Sequence, residues 1–169
     1  MGQTNISSPS KIHVTDLGGK YLTFGLANEE YGLEILKVRE IIGMMEITAV
    51  PRTPDFIKGV INLRGKVIPV IDLRLKFGLP STGVTEETCI IVVDVHSVEM
   101  GIIVDKVSEV LDIDSNDIEL APSFGVAVET NFILGMGKTN GLVTILLDIH
   151  KVLYGEVDSK WAEEVSAAV

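Results

Sequence analysis

The sequence predicts a mainly β fold that consists of two small barrels related by internal duplication. Three observations lead to this prediction. Short apolar runs alternate with Gly-containing turn signals, and two blocks of sequence recur in the same order. The chain has 169 residues, so each half is too short to bury a large core by itself. We therefore expect the two halves to share a hydrophobic core at their interface.

The internal repeat consists of two blocks that keep the same order in both halves. Residues 56–78, FIKGVINLRGKVIPVIDLRLKFG, align with residues 132–155, FILGMGKTNGLVTILLDIHKVLYG, after a shift of 76 positions. Upstream, residues 30–42 align with residues 99–111 after a shift of 69 positions. Two matching blocks at nearly the same offset indicate a duplication. The predicted halves are residues 19–80 and 86–155.

The same predicted elements follow one another in each half. Strand-like runs at residues 20–26 and 88–95 open the two halves. Gly65-Lys66 and Asn140-Gly141 are turn signals that precede β-branched runs. Between strand and turn, apolar residues have helical spacing, although a short strand is the alternative; these residues are Ile35, Val38, Ile41 and Ile42, with counterparts Val104, Val107, Val110 and Leu111.

Each half ends with an aspartate, a short amphipathic run and a glycine. Asp72 begins the sequence DLRLKFG, and Asp148 begins the sequence DIHKVLYG. An aspartate before such a run is typical of a helix N-cap, and a glycine is typical of a helix C-terminus. We therefore predict a short helix after each aspartate. Outside the repeat, we expect a flexible tail at residues 1–18 and a C-terminal helix or tail at residues 156–169.

Composition and charge exclude several classes of partner. The chain has 24 acidic and 14 basic residues and a formal net charge of -10, so nucleic acid is not an expected partner. No apolar run approaches the roughly 20 residues of a membrane-spanning helix, and residues 1–20 lack a signal-peptide segment, so direct membrane insertion is not expected. The only cysteine, Cys89, lies in the apolar run TCIIVV, which predicts a buried strand residue. We therefore expect a cytoplasmic protein.

No catalytic, metal-binding or cofactor-binding pattern is recognisable in the sequence. Two aspartates in a duplicated β protein suggest an aspartic protease, but Leu73 and Ile149 follow them where that chemistry requires Ser or Thr. The three histidines are scattered, and none has metal-ligand spacing. The sequence has no phosphate-binding loop and no nucleophile motif. We therefore expect a binding module; a small hydrolase with an unrecognised site is the alternative from another class.

The duplication separates residues that the fold needs from residues that need another explanation. Asp72 and Asp148 occur in both halves, and so do four glycines that we interpret as framework, namely Gly59, Gly65, Gly135 and Gly141. Arg64 has no counterpart, because Asn140 stands at the equivalent position. Only the first half therefore has the residues for an ion pair between Glu40 and Arg64. Two interpretations stay open: a solvated hairpin arginine, or a charge at the rim of a partner-binding groove.

Two segments closely resemble the CheW family of bacterial chemotaxis coupling proteins. They are EEYGLEILKVREIIG, residues 29–43, and FIKGVINLRGKVIPVIDLRLKFG, residues 56–78, and the resemblance extends over residues 19–155. It implies two SH3-like five-stranded β-barrel subdomains with short helices around a hydrophobic interface. It also implies a non-enzymatic adaptor, recruited to membrane-associated arrays, that links the cytoplasmic tips of chemoreceptors to the regulatory domain of a CheA-type histidine kinase. A coupling protein of a non-chemotactic array, such as one for surface motility, is the alternative within the family.

The resemblance also implies which residues contact the two partners. Two residues are implied as kinase contacts, Gly59 and Gly101. No cofactor is implied. The implied receptor contacts are Val38, Glu40, Asn62, Leu63, Arg64 and Val110.

Overall fold

The computed structural model describes residues 16–122 and 130–155, and this part of the chain is mainly β, as predicted. The helices are α1 Leu73–Lys76 and α2 Ile149–Leu153, and short 3₁₀ helices lie at Ile35–Lys37 and Ser115–Asp117. None of the helices in the described part is long and apolar enough to span a membrane. The strands are β1 Gly19–Leu26, β2 Glu29–Glu34, β3 Val38–Gly43, β4 Ile57–Leu63, β5 Lys66–Asp72, β6 Cys89–Val95, β7 Val98–Val104, β8 Lys106–Ile113, β9 Ile118–Glu119, β10 Ile133–Thr139 and β11 Leu142–Leu147.

The strands form two sheets, and each sheet contains strands from both halves of the sequence. The five-stranded sheet has the order β3-β6-β7-β5-β4, and the six-stranded sheet has the order β8-β1-β2-β11-β10-β9. Each sheet therefore combines three or four strands of one half with the first hairpin of the other half. The predicted fold of two small β subdomains is therefore confirmed, but each subdomain contains strands of both halves, because the two halves exchange their first hairpins.

The apolar pattern of β6 explains why this hairpin lies in the middle of a sheet. Ile90 and Val92 belong to the interior of the five-stranded sheet, whereas Ile91 and Val93 belong to the core between the two sheets. A strand that is apolar on both faces needs cover on both faces, which a central position provides. β3 and β7 accordingly pair with β6 on its two sides, both antiparallel. The parallel pairs β5–β7 and β2–β11 complete the exchange.

In each sheet, the segment that follows one edge strand pairs with a strand at the opposite end of the order. In the five-stranded sheet, Thr48 follows β3 and exchanges two backbone hydrogen bonds of 2.9 Å with Val60 of β4. In the six-stranded sheet, Glu119 of β9 pairs with Met136 of β10, at the position equivalent to Val60. The closure brings β3 near the β4–β5 hairpin, although these strands are far apart in the order of the sheet.

The segments with helical spacing are strands, so the prediction of helices there is wrong. Burial alternates along β3 from Val38 to Gly43, which is the period of a strand and not of a helix. The β-branched residues of this segment and of β8 favour strands, because they pack well on a pleated surface. Only residues 35–37 keep a helical turn, and it is a 3₁₀ turn.

The aspartate caps and the hairpin turns agree with the repeat. The Asp72 carboxylate accepts from the Leu75 N–H at 3.3 Å, and the Asp148 carboxylate accepts from the Lys151 N–H at 3.1 Å, so both N-cap predictions are confirmed. The turn at Asn140-Gly141 is also confirmed. The predicted turn at Gly65-Lys66 lies one residue earlier. It occupies residues 64–65, whose φ angles of 54° and 85° are those of a two-residue hairpin turn.

The described residues form three hydrophobic clusters, and the largest of them lies between the two sheets. We call this cluster the interface core; it contains Leu22, Phe24 and Leu33 of the six-stranded sheet together with Ile91 and Ile102 of the five-stranded sheet. Each sheet also encloses a smaller cluster of its own. The predicted shared core is therefore present, and it joins the two sheets rather than the two sequence halves.

The sequence also makes specific predictions for the two ends of the chain and for Cys89. Residues 1–15 lie outside the described part, but Leu17 is buried, so the predicted flexible tail does not extend to residue 18. The prediction for residues 156–169 also lies outside the described part. Cys89 is half-buried rather than fully buried, because it is the first residue of β6 and lies at the end of the strand.

Candidate partner-binding site

Arg64 and Glu40 form the ion pair for which only the first half has the residues. Arg64 lies on the turn between β4 and β5, and its Nη2 donates to Oε1 of Glu40 on β3. The Arg64 side chain is 71% exposed, whereas the Glu40 side chain is 31% exposed. The hydrogen bond to Glu40 raises the pKa of Arg64 above its already high ordinary value, so this group is a permanent cation. In the second half, Glu109 and Asn140 occupy the equivalent positions and cannot form such a pair.

The hairpin that carries Arg64 is held in its shape by the side chain of Asn62. The Asn62 Oδ1 accepts a hydrogen bond of 2.8 Å from the Gly65 N–H. Leu63 packs against the interior cluster of the five-stranded sheet. Arg64 itself has a φ of 54°, which is the left-handed region that Asn and Gly tolerate better than Arg. Two of the predicted receptor contacts, Asn62 and Leu63, thus also support the fold of this hairpin.

Further ion pairs extend the charged surface around Arg64. Lys66 of β5 lies 2.9 Å from Glu99 of β7, and Arg39 of β3 lies 3.5 Å from Asp94 of β6. The hydrogen bond from Lys66 lowers the pKa of Glu99, and the charges of Arg39 and Arg64 lower it further. These charges therefore lie near one another on the five-stranded sheet. We call them the charged strip, which comprises Arg39, Glu40, Arg64, Lys66, Asp94 and Glu99.

A second feature is an apolar groove between the edge strands β3 and β8 of the two sheets. Ile41 is 45% exposed and pairs with Ile91, while Val110 is 49% exposed and pairs with Leu22. Both partners belong to the interface core, so Ile41 and Val110 lie on the faces of the strands that are turned to the other sheet. Because these faces are apolar but incompletely covered, they offer a surface for a partner.

The half-buried residues between these strands complete the groove. Val38 of β3 and Val107 of β8 pack against the interface core, and so does Cys89. The Cys89 thiol also contacts the backbone of Val107, which brings the start of β6 next to β8. We call the surface formed by Val38, Ile41, Cys89, Val107 and Val110 the interface groove. Ile41 and Val110 are equivalent in the repeat, and this equivalence is the sequence signal that would have identified Ile41.

Gly59 and Gly101 have packing roles in the five-stranded sheet. Both glycines are buried. Gly59 has a φ of 140°, and a Cβ there would lie 1.9 Å from the Thr48 carbonyl oxygen. A Cβ at Gly101 would lie 2.8 Å from Ile90 Cγ2. Neither residue offers a side chain to a partner, so any influence on binding acts through the shape of the sheet.

In the part of the chain that the structure describes, the reactive side chains do not form a recognisable active site. Asp72 and Asp148 each cap their own helix. Burial raises the pKa of Cys89, which disfavours the thiolate that a nucleophile needs. Within residues 16–122 and 130–155, no group of three or more His, Cys, Asp or Glu side chains is arranged to hold a metal ion. His150 is exposed, and its ring packs edge-on against His96 with centroids 4.5 Å apart.

Comparisons with protein families, individual proteins and solved structures all find the same family. Residues 20–157 match the family model described as the CheW-like domain. The chemotaxis protein CheW of Klebsiella aerogenes is 43% identical over 151 residues, which cover 89% of this chain and 91% of the relative. The chemotaxis protein CheW of Helicobacter pylori is 33% identical over 151 residues, which cover 89% of this chain and 91% of the relative. The crystal structure of the scaffolding protein TtCheW from Thermoanaerobacter tengcongensis matches with a TM-score of 0.74 and 41% identity, and the match covers 83% of this chain and 95% of that one.

Proposed function

The chain belongs to the CheW family of chemotaxis proteins, and from this premise we propose that it is a non-enzymatic adaptor between chemoreceptors and a CheA-type histidine kinase. It would act in the cytoplasm at membrane-associated receptor arrays and bind both partners at once. The observation that carries the proposal is the Arg64–Glu40 pair together with the interface groove. An apolar groove with charges nearby suits the amphipathic helical hairpin of a receptor tip.

We propose that the receptor binds across the interface groove and the hairpin of Arg64. Val38 and Val110 would contact apolar side chains of the receptor, because they lie on the two walls of the groove. Arg64 and Glu40 would determine partner choice and orientation, since charges at the edge of an interface act mainly on specificity and association rate. Asn62 and Leu63 would hold the hairpin in the shape that presents Arg64.

We propose that the kinase domain binds elsewhere on the five-stranded sheet, near β4. Gly59 would act there by allowing the close approach of β4 to the Thr48 backbone, which shapes this edge of the sheet. Gly101 is buried and would act only through the packing of β7 against β6. Separate faces for the two partners are what an adaptor requires.

The substitution Arg64→Glu tests the receptor face. It places a second carboxylate beside Glu40 and presents an anion where the partner meets a cation. Like charges in an interface cost several kcal/mol, so we expect affinity for a soluble receptor-tip fragment to fall more than tenfold. The melting temperature should change little, because exposed ion pairs contribute little to stability. Isothermal titration calorimetry and thermal melts measure the two quantities.

The second half of the chain provides a matched control for this experiment. Lys138 forms an exposed ion pair of 2.7 Å with Glu119 beside the equivalent hairpin. The substitution Lys138→Glu reverses a charge there in the same way, at a residue that is not among the proposed receptor contacts. We expect it to leave receptor affinity unchanged. Equal losses in both variants, or no loss in Arg64→Glu, would contradict the proposed receptor face.

A further inference from the structure

The chain passes between the two sheets at two short connections, and both lead into a wall of the interface groove. Residues 35–37 connect β2 of the six-stranded sheet to β3 of the five-stranded sheet. In the other direction, Asp105 alone connects β7 to β8. β8 pairs with β1, so the direction of the chain at Asp105 contributes to where this edge of the six-stranded sheet lies relative to β3.

Asp105 is held from both sheets. Nε and Nη2 of Arg74 on α1 donate to Oδ1 and Oδ2 of Asp105, each at 2.6 Å. From the six-stranded sheet, the Ala27 N–H donates to Oδ2 at 2.8 Å. The Asp105 N–H in turn donates to the Gly25 carbonyl oxygen at 3.1 Å. One carboxylate thus joins the helix that follows β5 to the turn between β1 and β2.

The geometry of this contact makes it stiff. Two parallel hydrogen bonds between a guanidinium and a carboxylate fix distance and angle together, which a single-point contact does not. The side chains of Arg74 and Asp105 are only 15% and 28% exposed, so water competes weakly for these bonds. Arg74 Nη1 also donates to the Pro80 carbonyl oxygen at 3.1 Å, which holds the end of the first half in place.

The repeat shows that this contact is not a general requirement of the fold. The residues equivalent to Arg74 and Asp105 are His150 and Leu36. They cannot form an ion pair, and Leu36 is 92% exposed. The same fold therefore forms its other connection between the sheets without such a contact.

We infer that Arg74 and Asp105 are positioning residues that set the distance between β3 and β8 and thereby the shape of the interface groove. This inference rests on the proposed function, because it assigns the groove to the receptor. Neither residue has to touch the receptor. Their loss would leave both sheets folded but allow β8 to move against β3, and the receptor would then bind a groove of variable width.

A distance measurement across the groove tests the inference without any partner. Arg39 and Ser108 are exposed, lie on β3 and β8, and are equivalent in the repeat. Spin labels at Arg39→Cys and Ser108→Cys, in a Cys89→Ala background, report the separation of the two strands by double electron–electron resonance. We expect a narrow distance distribution in this background and a broader or shifted one when Asp105→Asn is added. Lys138→Gln, which removes an exposed ion pair elsewhere, should not change it.

Receptor affinity is measured on the unlabelled variants at a temperature where melts show them folded. Asp105→Asn should weaken binding of the receptor-tip fragment about three- to tenfold, which lies within the range for residues that act on a site without touching it. Arg74→Lys keeps the positive charge but loses the two parallel hydrogen bonds of the guanidinium, so it should change the distance distribution and the receptor affinity in the same direction but by less. If Asp105→Asn fails to fold, Arg74→Lys takes its place in both measurements. Unchanged distances, or changed distances with unchanged affinity, would overturn the inference. Absence of binding by the wild-type protein would contradict the proposed function instead, and the distance measurement would still test the role of the pair in positioning β8.

Discussion

At the scale of single residues, Arg64 is poorly suited to the position it occupies. The first residue of its hairpin turn has a left-handed backbone, with φ 54°, and the equivalent turn has Asn140 there, with φ 51°. Asn adopts this conformation at lower cost than Arg. Residues in unfavourable backbone conformations are found most often where function requires the side chain. The comparison of the two turns within one chain thus supports a role for Arg64 outside the fold.

The substitution Arg64→Asn separates stability from binding. It gives the first turn the residue that the second turn already has, so the melting temperature should stay the same or rise. Affinity for the receptor-tip fragment should fall, because the cation beside Glu40 is lost. Asn140→Arg is the reciprocal control, and it should lower the melting temperature without changing affinity. A fall in stability for Arg64→Asn would mean that the ion pair matters more to the fold than the backbone does.

At the scale of elements, the two helix starts are close copies of each other. Besides its cap, each aspartate donates its own N–H to the carbonyl oxygen of the phenylalanine that opens the repeat block, Phe56 or Phe132, at 2.7 and 2.8 Å. The sequence alone predicts these helix starts, because an N-cap depends on residues a few positions apart. It does not decide between helix and strand for residues 38–42, because a short apolar run fits both periods.

Removal of either cap should destabilise the protein by a similar mechanism. Asp72→Ala and Asp148→Ala should each lower the free energy of unfolding by about 1 kcal/mol, the usual contribution of a capping side chain. Asp72 is buried and Asp148 is half-buried, so the loss should be larger at Asp72. Urea denaturation measures both values. A larger loss at Asp148, or none at either site, would contradict the role given to the caps.

At the scale of the whole molecule, the exchange of hairpins between the halves makes the two sheets a single unit. The repeat in the sequence identifies equivalent segments, but it does not tell whether a hairpin pairs within its own half or with the other half, because both arrangements satisfy the same apolar pattern. For the same reason, the sequence alone does not predict the contact between Arg74 and Asp105. These residues are 31 positions apart and meet only because of the exchange. The sequence does predict the ion pair between Glu40 and Arg64, because the aligned repeat shows that the second half lacks an arginine at the position of Arg64.

The acid dependence of stability should report the contact between the sheets. The hydrogen bonds from Arg74 lower the pKa of Asp105 below its ordinary value of 3.8. A carboxyl group with a lowered pKa in the folded state stabilises the protein above its unfolded pKa, and this stabilisation is lost as the pH falls through the folded value. The difference in unfolding free energy between wild type and Asp105→Asn should therefore be constant near neutral pH and shrink below about pH 4. A difference that grows on acidification would contradict the assigned pKa direction.

The central claim, that one small protein holds two partners on separate faces, is tested most directly by sedimentation velocity on a mixture of three components. These are the protein, a soluble receptor-tip fragment, and the regulatory domain of a CheA-type kinase, each at concentrations above the separately measured dissociation constants. The account predicts a boundary that contains all three components, and it predicts that Arg64→Glu removes the receptor fragment from this boundary while the kinase domain remains. Two binary complexes that compete for the protein, with no species containing all three components, would contradict it.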